Sequence, residues 1–161
     1  MLFRSSHEEE PPTVIAALGP KMLELASEMT QGAHPYFTSP EHTAMAREKL
    51  GKNSWLCVEQ KVILEKDPTK ARETAKQTAA IYKGLPNYRN NWIRMGLAEE
   101  DIDSLNDKFI DTTFAWGTEV VIRERISAHF DAGADHVCIQ PVNPNGQMTG
   151  LDWDCLEALS N

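Results

Sequence analysis

The sequence predicts an α/β fold built from parallel βα units, and three observations carry that reading. Four short apolar runs, "TVIAAL", "GAHPYF", "WLCVEQKVIL" and "DHVCIQPV", alternate with longer stretches of helical periodicity. The runs are rich in Val, Ile and Ala, the composition of strands covered by helices rather than left facing water. The first three are each followed by helix-start chemistry: Gly-Pro, Ser-Pro and Asp-Pro. Strands joined through helices in this way lie parallel and cross over right-handedly. Two architectures satisfy the pattern, an open doubly wound sheet or part of a (βα)8 TIM barrel. A complete barrel takes about 250 residues. This chain has 161 residues and four such units, half of one barrel.

Residues 1–12 read as a polar, acidic lead-in loop ending in Pro11 and Pro12, and residues 13–161 as one half-barrel unit. The first strand, 13–18, meets Gly19-Pro20 and a helix running to about Thr30. The second, 32–37, gives way to Ser39 as N-cap and Pro40 as first residue of a helix that Gly51 ends. The third strand is 55–64, and Asp67-Pro68 opens a helix stopped by Gly84 and Pro86. From about 87 to 115 the rhythm breaks into a helical insertion of short pieces, "NYRNNWIRM" and "AEEDIDSL". Thr118 then caps a helix whose Ile122, Ile126, His129 and Phe130 recur at helical spacing and mark one buried stripe. The fourth strand is 135–142, and Asp152 caps a last short helix, "WDCLEAL".

At 41% hydrophobic and 25% charged residues the composition is that of an ordinary soluble globular domain. A formal net charge of -8, with acids and bases interspersed, argues against nucleic-acid binding, which needs a basic face. No apolar run approaches a membrane span and "MLFRSSHEEEPP" lacks the core of a secretory signal, so a cytoplasmic protein with no membrane partner is expected. Cys57, Cys138 and Cys155 are odd in number and far apart, without metal-ligand spacing, and read as reduced structural thiols; no metal is expected. The absence of a Ser/His/Asp or Cys/His nucleophile system, a Walker-type loop or a full GxGxxG weighs against hydrolase, kinase-like and Rossmann readings.

The stretches "AALGPKMLELASEMTQGAHPYFTSPEHTAMAREKLG", "EQKVIL", "YKGLPNYRNNWIRMG" and "ISAHFDAGADHVCIQPV" resemble the C-terminal half of luciferase-like oxidoreductases of the bacterial luciferase superfamily. Within it they resemble the actinobacterial branch that uses the deazaflavin coenzyme F420. The resemblance runs from about Pro11 to the end of the chain. It implies the C-terminal half of a (βα)8 TIM barrel, the four strands being the barrel's fifth to eighth. It also implies binding of coenzyme F420, with FMN as the alternative, and hydride transfer or monooxygenase-type chemistry on a small organic substrate. The groups flanking the reactive ring would lie largely on strands one to four, outside this sequence. The expectation is therefore an incomplete enzyme part, inactive alone, with its catalytic residues on an N-terminal half. Its partners would be the small-molecule substrate and either that N-terminal half-barrel or a homo-oligomer, because an open four-stranded sheet leaves two edges and one face uncovered. The alternative is a non-catalytic, self-associating half-barrel with a binding or structural role.

In the family the turn after the fifth strand lies beside the coenzyme phosphate, which maps here to Ala17, Leu18, Gly19, Pro20 and Lys21. The chemistry suits an anion: Gly19 permits close approach, Pro20 sets the first helical turn, the N–H groups of Lys21 and Met22 face the ligand, and Lys21 adds a charge. Without the resemblance, the same Gly-Pro is a short βα turn common to α/β folds. His34 and Tyr36, in "HPYF" at the C-terminal end of a strand, are candidates for a substrate or ring pocket, against a loop histidine and a core tyrosine; Gln140 has the same positional argument. Glu59 and Lys61 share one strand face and read as an internal ion pair near the barrel floor. His129 reads as a hydrogen-bonded core histidine. The insertion, with Tyr88, Arg89, Asn90, Asn91 and Trp92, reads either as a lid or pocket wall or as a set of helix caps; in the first case Arg89 and the Asn pair would meet an acidic cofactor tail or a substrate.

Overall fold

The computed structural model describes residues 11–144 and 150–160, which form five strands and eight helices. In chain order they are β1 (Val14–Ala16), α1 (Pro20–Met29), β2 (Gly32–His34), α2 (Pro40–Leu50), β3 (Trp55–Ile63), α3 (Pro68–Tyr82) and α4 (Pro86–Arg94). There follow α5 (Glu99–Ser104), α6 (Asp107–Thr113), β4 (Phe114–Trp116), α7 (Glu119–Asp131), β5 (His136–Pro141) and α8 (Trp153–Leu159). Residues 1–10 of the expected lead-in loop lie outside the described residues. No described helix is long and apolar enough to cross a membrane.

The helices start where their capping side chains say they should. Ser39 accepts the His42 N–H, Asp67 those of Thr69 and Lys70, Asn106 that of Phe109, Thr118 that of Val121 and Asp152 that of Cys155. α2 ends at Gly51, whose φ of 75° favours glycine.

Every strand pairing is parallel, in the order β1-β2-β3-β4 with β5 also on β3. Successive residues of a strand turn their backbone groups to opposite edges. The Trp55 and Glu59 N–H groups bond to the Gln31 and Pro35 carbonyls, and the Ile63 carbonyl accepts from Gly117, so these positions serve β2 and then β4 on one edge. The Leu56 and Val62 carbonyls accept from Asp135 and Val142, so the alternate positions serve β5 on the other edge. The four expected strands are thus β1, β2, β3 and β5. β4 is additional and corrects the reading of 87–115 as helical to its end; three residues are too few to show alternation in sequence.

Side chains sort by the same alternation. Leu56 and Val58 pack against Leu23 and Ala26 of α1 and Ala46 and Leu50 of α2, and Val62 packs against Ile122 of α7 and Cys155 of α8. Cys57, Glu59, Lys61 and Ile63 point to the inner face. Of the stripe expected on α7, Ile122 and His129 are fully buried and Ile126 is half-buried, but Phe130 is 47% exposed, because α2 and β3 cover only one side of the helix. The excursion α3–α6 forms its own core over the ends of β3 and β4, where Trp92, Phe109 and Ile110 meet Phe37, Ile63 and Phe114.

Candidate functional site

The turn between β1 and α1 is anchored by Ala17, which is buried in the core under α1 and α2. Gly19 is the α1 N-cap with φ -90° and ψ 163°, a conformation open to any residue, so the turn itself does not need glycine. Space does. A Cβ on Gly19 would stand 3.2 Å from the Arg94 guanidinium, which lies over the turn from α4. His42 of α2 holds the turn from beneath, its Nε2 2.9 Å from the Leu18 carbonyl. The Met22 N–H, expected to face a ligand, bonds to the Gly19 carbonyl at 3.1 Å. Lys21 is exposed and lies outside the lining of the cavity described below.

Beyond β2 the chain makes a second turn, and Phe37 takes φ 62°, a strained value for a bulky residue. Both its backbone groups are held: the N–H donates to Glu59 Oε2 at 2.8 Å, and the carbonyl accepts from Trp92 Nε1 at 3.1 Å. The turn sends Phe37 into the excursion core and Tyr36 toward the inner face. His34 is fixed by a 2.6 Å hydrogen bond from Nδ1 to the Cys57 carbonyl.

Tyr36 sits in a polar network. Its hydroxyl donates to Gln140 Oε1 at 2.6 Å and lies 3.1 Å from the Tyr82 hydroxyl. Lys61 Nζ donates to the same Gln140 oxygen at 3.2 Å and to Glu59 Oε1 at 3.1 Å, and stands 3.7 Å from the Tyr36 ring centroid. The Lys61 and Glu59 side chains are 0% and 2% exposed, so the expected internal pair exists. It lies in the second half of β3 beside Tyr36 rather than at the barrel floor, because the strand is long enough to carry these residues up to the excursion core. Burial pulls the Lys61 ammonium down to about 8 against the opposing pull of Glu59. Burial, with Tyr82 and Glu59 adding, pushes the Tyr36 phenol up and keeps it protonated.

A cavity of about 370 Å³ joins these parts. Ala16, Ala17, Leu18, Gly19 and Met22 form one side, His34 and Tyr36 the floor, and Asn87, Tyr88, Asn90 and Arg94 the other side. Of the expected residues, Ala17, Leu18, Gly19, His34 and Tyr36 therefore come together. Pro20, at the first helical position, and Lys21 adjoin the cavity without lining it, and Gln140 acts on it only through Tyr36. α4 is a wall with a fixed foot: Trp92 is 0% exposed and tied to Phe37. Arg89, expected to meet a cofactor tail, instead pairs with Asp103 at 2.6 Å and Glu99 at 2.9 Å and joins α4 to α5. Asn91 is buried and bonds Arg94 and the Met95 sulfur. Arg94 was missed from sequence, although Asn87, Asn90 and Arg94 stand at i, i+3 and i+7, one polar face of a helix.

His129 takes the expected core role. Its Nε2 lies 2.9 Å from Gln60 Oε1 and its Nδ1 2.8 Å from Thr43 Oγ1, tying α7 to β3 and α2. Cys57, Cys138 and Cys155 are free thiols, and no group of three His, Cys, Asp or Glu among the described residues could hold a metal.

The sequence matches the model of the luciferase-like monooxygenase family over residues 2–136. The chain belongs to this family. No curated protein matches its sequence. Among solved structures, the coenzyme F420 dependent tetrahydromethanopterin reductase from Methanopyrus kandleri superposes with a TM-score of 0.65 at 17% identity, over 93% of this chain and 49% of that one. An F420-dependent secondary alcohol dehydrogenase, in complex with an F420-acetone adduct, gives 0.59 at 12% identity over 96% and 50%. Apo-MsnO8 gives 0.55 at 14% identity over 99% and 55%. At such identities the likeness shows the fold, a partial TIM barrel of the luciferase-like type. The luciferase-like chain spans about half the length of these structures.

Proposed function

We propose that this chain is the cofactor-phosphate-binding part of a luciferase-like oxidoreductase, with coenzyme F420 as its cofactor and FMN as the alternative. The observation that carries the reading is the meeting of the β1–α1 turn, His34, Tyr36 and Arg94 around one cavity at the C-terminal ends of parallel strands. Barrels build their sites at that end, from the loops that follow the strands. The residues present fit a phosphate: a glycine that allows close approach, the start of a ten-residue helix and a guanidinium. The F420 dependence of two structural relatives supports the choice of cofactor.

When bound, the coenzyme would supply hydride transfer to or from a small organic substrate. The chain's own residues bind and orient. The β1–α1 turn receives the phosphate, Tyr36 and Tyr88 bound the space beside it, and Asn87, Asn90 and Arg94 of α4 line its far side. Glu59, Lys61 and Gln140 hold Tyr36 in place. Trp55, His136, Cys138 and Gln140 are exposed on the inner face, and this openness supports a need for further strands before turnover. The complement is an N-terminal half-barrel; a second copy of the chain would cover the same face.

Titration of coenzyme F420, followed by its own fluorescence, tests the reading with the chain alone and with a separately made four-strand half from a family member. Binding about tenfold tighter in the mixture is expected. Absence of binding in every combination would remove the proposal. Sedimentation at micromolar concentration decides between complements, since a monomer would rule out the second copy.

A further inference from the structure

We propose that Arg94, carried by α4, is the cation of the anion site at the β1–α1 turn, in the place that sequence position alone would give to Lys21. The inference rests on the proposed phosphate site and names the charge that serves it. Arg94 lies so close to Gly19 that a single added methyl would meet its guanidinium at 3.2 Å. Among the described residues it forms no ion pair, and its one hydrogen bond is 3.3 Å long, to the neutral Asn91 amide. Its neighbour Arg89, by contrast, is held by two carboxylates. A guanidinium left without a carboxylate beside a helix start retains its full capacity for a bidentate oxyanion.

Two further observations converge on the spot. Trp92 and Asn91, just before Arg94 on α4, are both fully buried, so its backbone is fixed even though its side chain is exposed. With the backbone already fixed, binding an anion has only the Arg94 side chain left to order. Beneath the turn, His42 is 2% exposed, and its Nδ1 makes no hydrogen bond while Nε2 holds the Leu18 carbonyl. Burial first, and the Arg94 charge with it, disfavour protonation of this ring, while its bond to the Leu18 carbonyl favours it. The Leu18 carbonyl, His42, Asn91 and Arg94 thus form one polar patch with a cationic outer end and no anion of its own.

The test uses the whole chain and two probes, inorganic phosphate and coenzyme F420, read by backbone amide resonances of Gly19 and Lys21 and by the His42 ring nitrogens. In the wild-type chain these amides shift on titration. Arg94→Gln weakens affinity for both probes by about tenfold or more, Arg94→Lys recovers part of the loss, and Lys21→Gln changes it by less than about twofold. The thermal midpoint of each variant is measured first, so that a binding loss is read only on folded protein. Phosphate binding at Gly19 that survives Arg94→Gln unchanged would overturn the inference and leave the proposed site standing. Wild-type amides that respond to neither probe, in the chain alone and in its mixture with the four-strand half, would overturn both.

Discussion

Replacing Lys61 by Met should destabilise the chain far more than replacing Glu59 by Gln, although the two side chains form one ion pair 3.1 Å long. Lys61→Met leaves the Glu59 carboxylate 2% exposed, with the Phe37 N–H still donating to it but no cation. Breaking a buried pair from that side costs about 3–5 kcal/mol, and loss of the cation over the Tyr36 ring adds about 1 kcal/mol. Glu59→Gln is different because its partner can shed a proton. Lys61 already sits at about 8, so at pH 7 only about 1 kcal/mol more is needed to make it neutral. The neutral amine keeps its donor to Gln140, and the amide that replaces the carboxylate would keep an oxygen for the Phe37 N–H. The double variant, which buries no charge, should be more stable than Lys61→Met alone. Urea unfolding at pH 7, with equal m-values required across the set, measures all four proteins. Equal losses in the two single variants, or a double variant as unstable as the sum of both, would refute the reasoning.

Three other outcomes are expected. Acid should weaken the fold through His129, which burial and the nearby Arg125 pull down to about 4. The unfolded chain binds the extra proton first, so stability is complete above about pH 6.5 and falls by about 3 kcal/mol as pH drops to about 4; a His129→Gln variant should lack that part of the slope in pH-dependent unfolding. Gly32→Ala should cost about 3 kcal/mol or more in the same assay, because its Cβ would stand 2.2 Å from the Trp55 carbonyl oxygen, and an unchanged midpoint would show that β2 and β3 are farther apart. Asp67→Ala should cost about 1 kcal/mol, by thermal unfolding, through loss of the caps to Thr69 and Lys70.

The sequence was most readable where structure is local. Proline at the first helical position and Ser39, Asp67, Thr118 or Asp152 as caps mark helix starts with side chains that act within three residues, and each helix begins where they stand. The Glu59–Lys61 pair was readable because strand alternation puts both on one face, where neither could be buried alone. Its height along the barrel was not, since that depends on the excursion core. Arg89 and Arg94 show the limit more sharply. They lie five positions apart on one helix, and only the fold of α5 decides that the first meets Asp103 and Glu99 while the second reaches Gly19. The Phe37 backbone, bent to a positive φ, carries no glycine or asparagine to announce it. β4 escaped for want of length.

That β4 continues the edge of β3 on which β2 ends, and that α7 alone then carries the chain across to β5, separates two tasks along the polypeptide. The segment from α3 to α6 leaves β3 and returns beside it as the parallel strand β4, so it is the long crossover between these two neighbours. Its length and sequence are free to drift without re-registering the sheet, provided Trp92 still finds Phe37. The same excursion carries Asn87, Tyr88, Asn90 and Arg94 of the cavity wall, so a change in it alters the site while β3 keeps its pairing with β2 and β5.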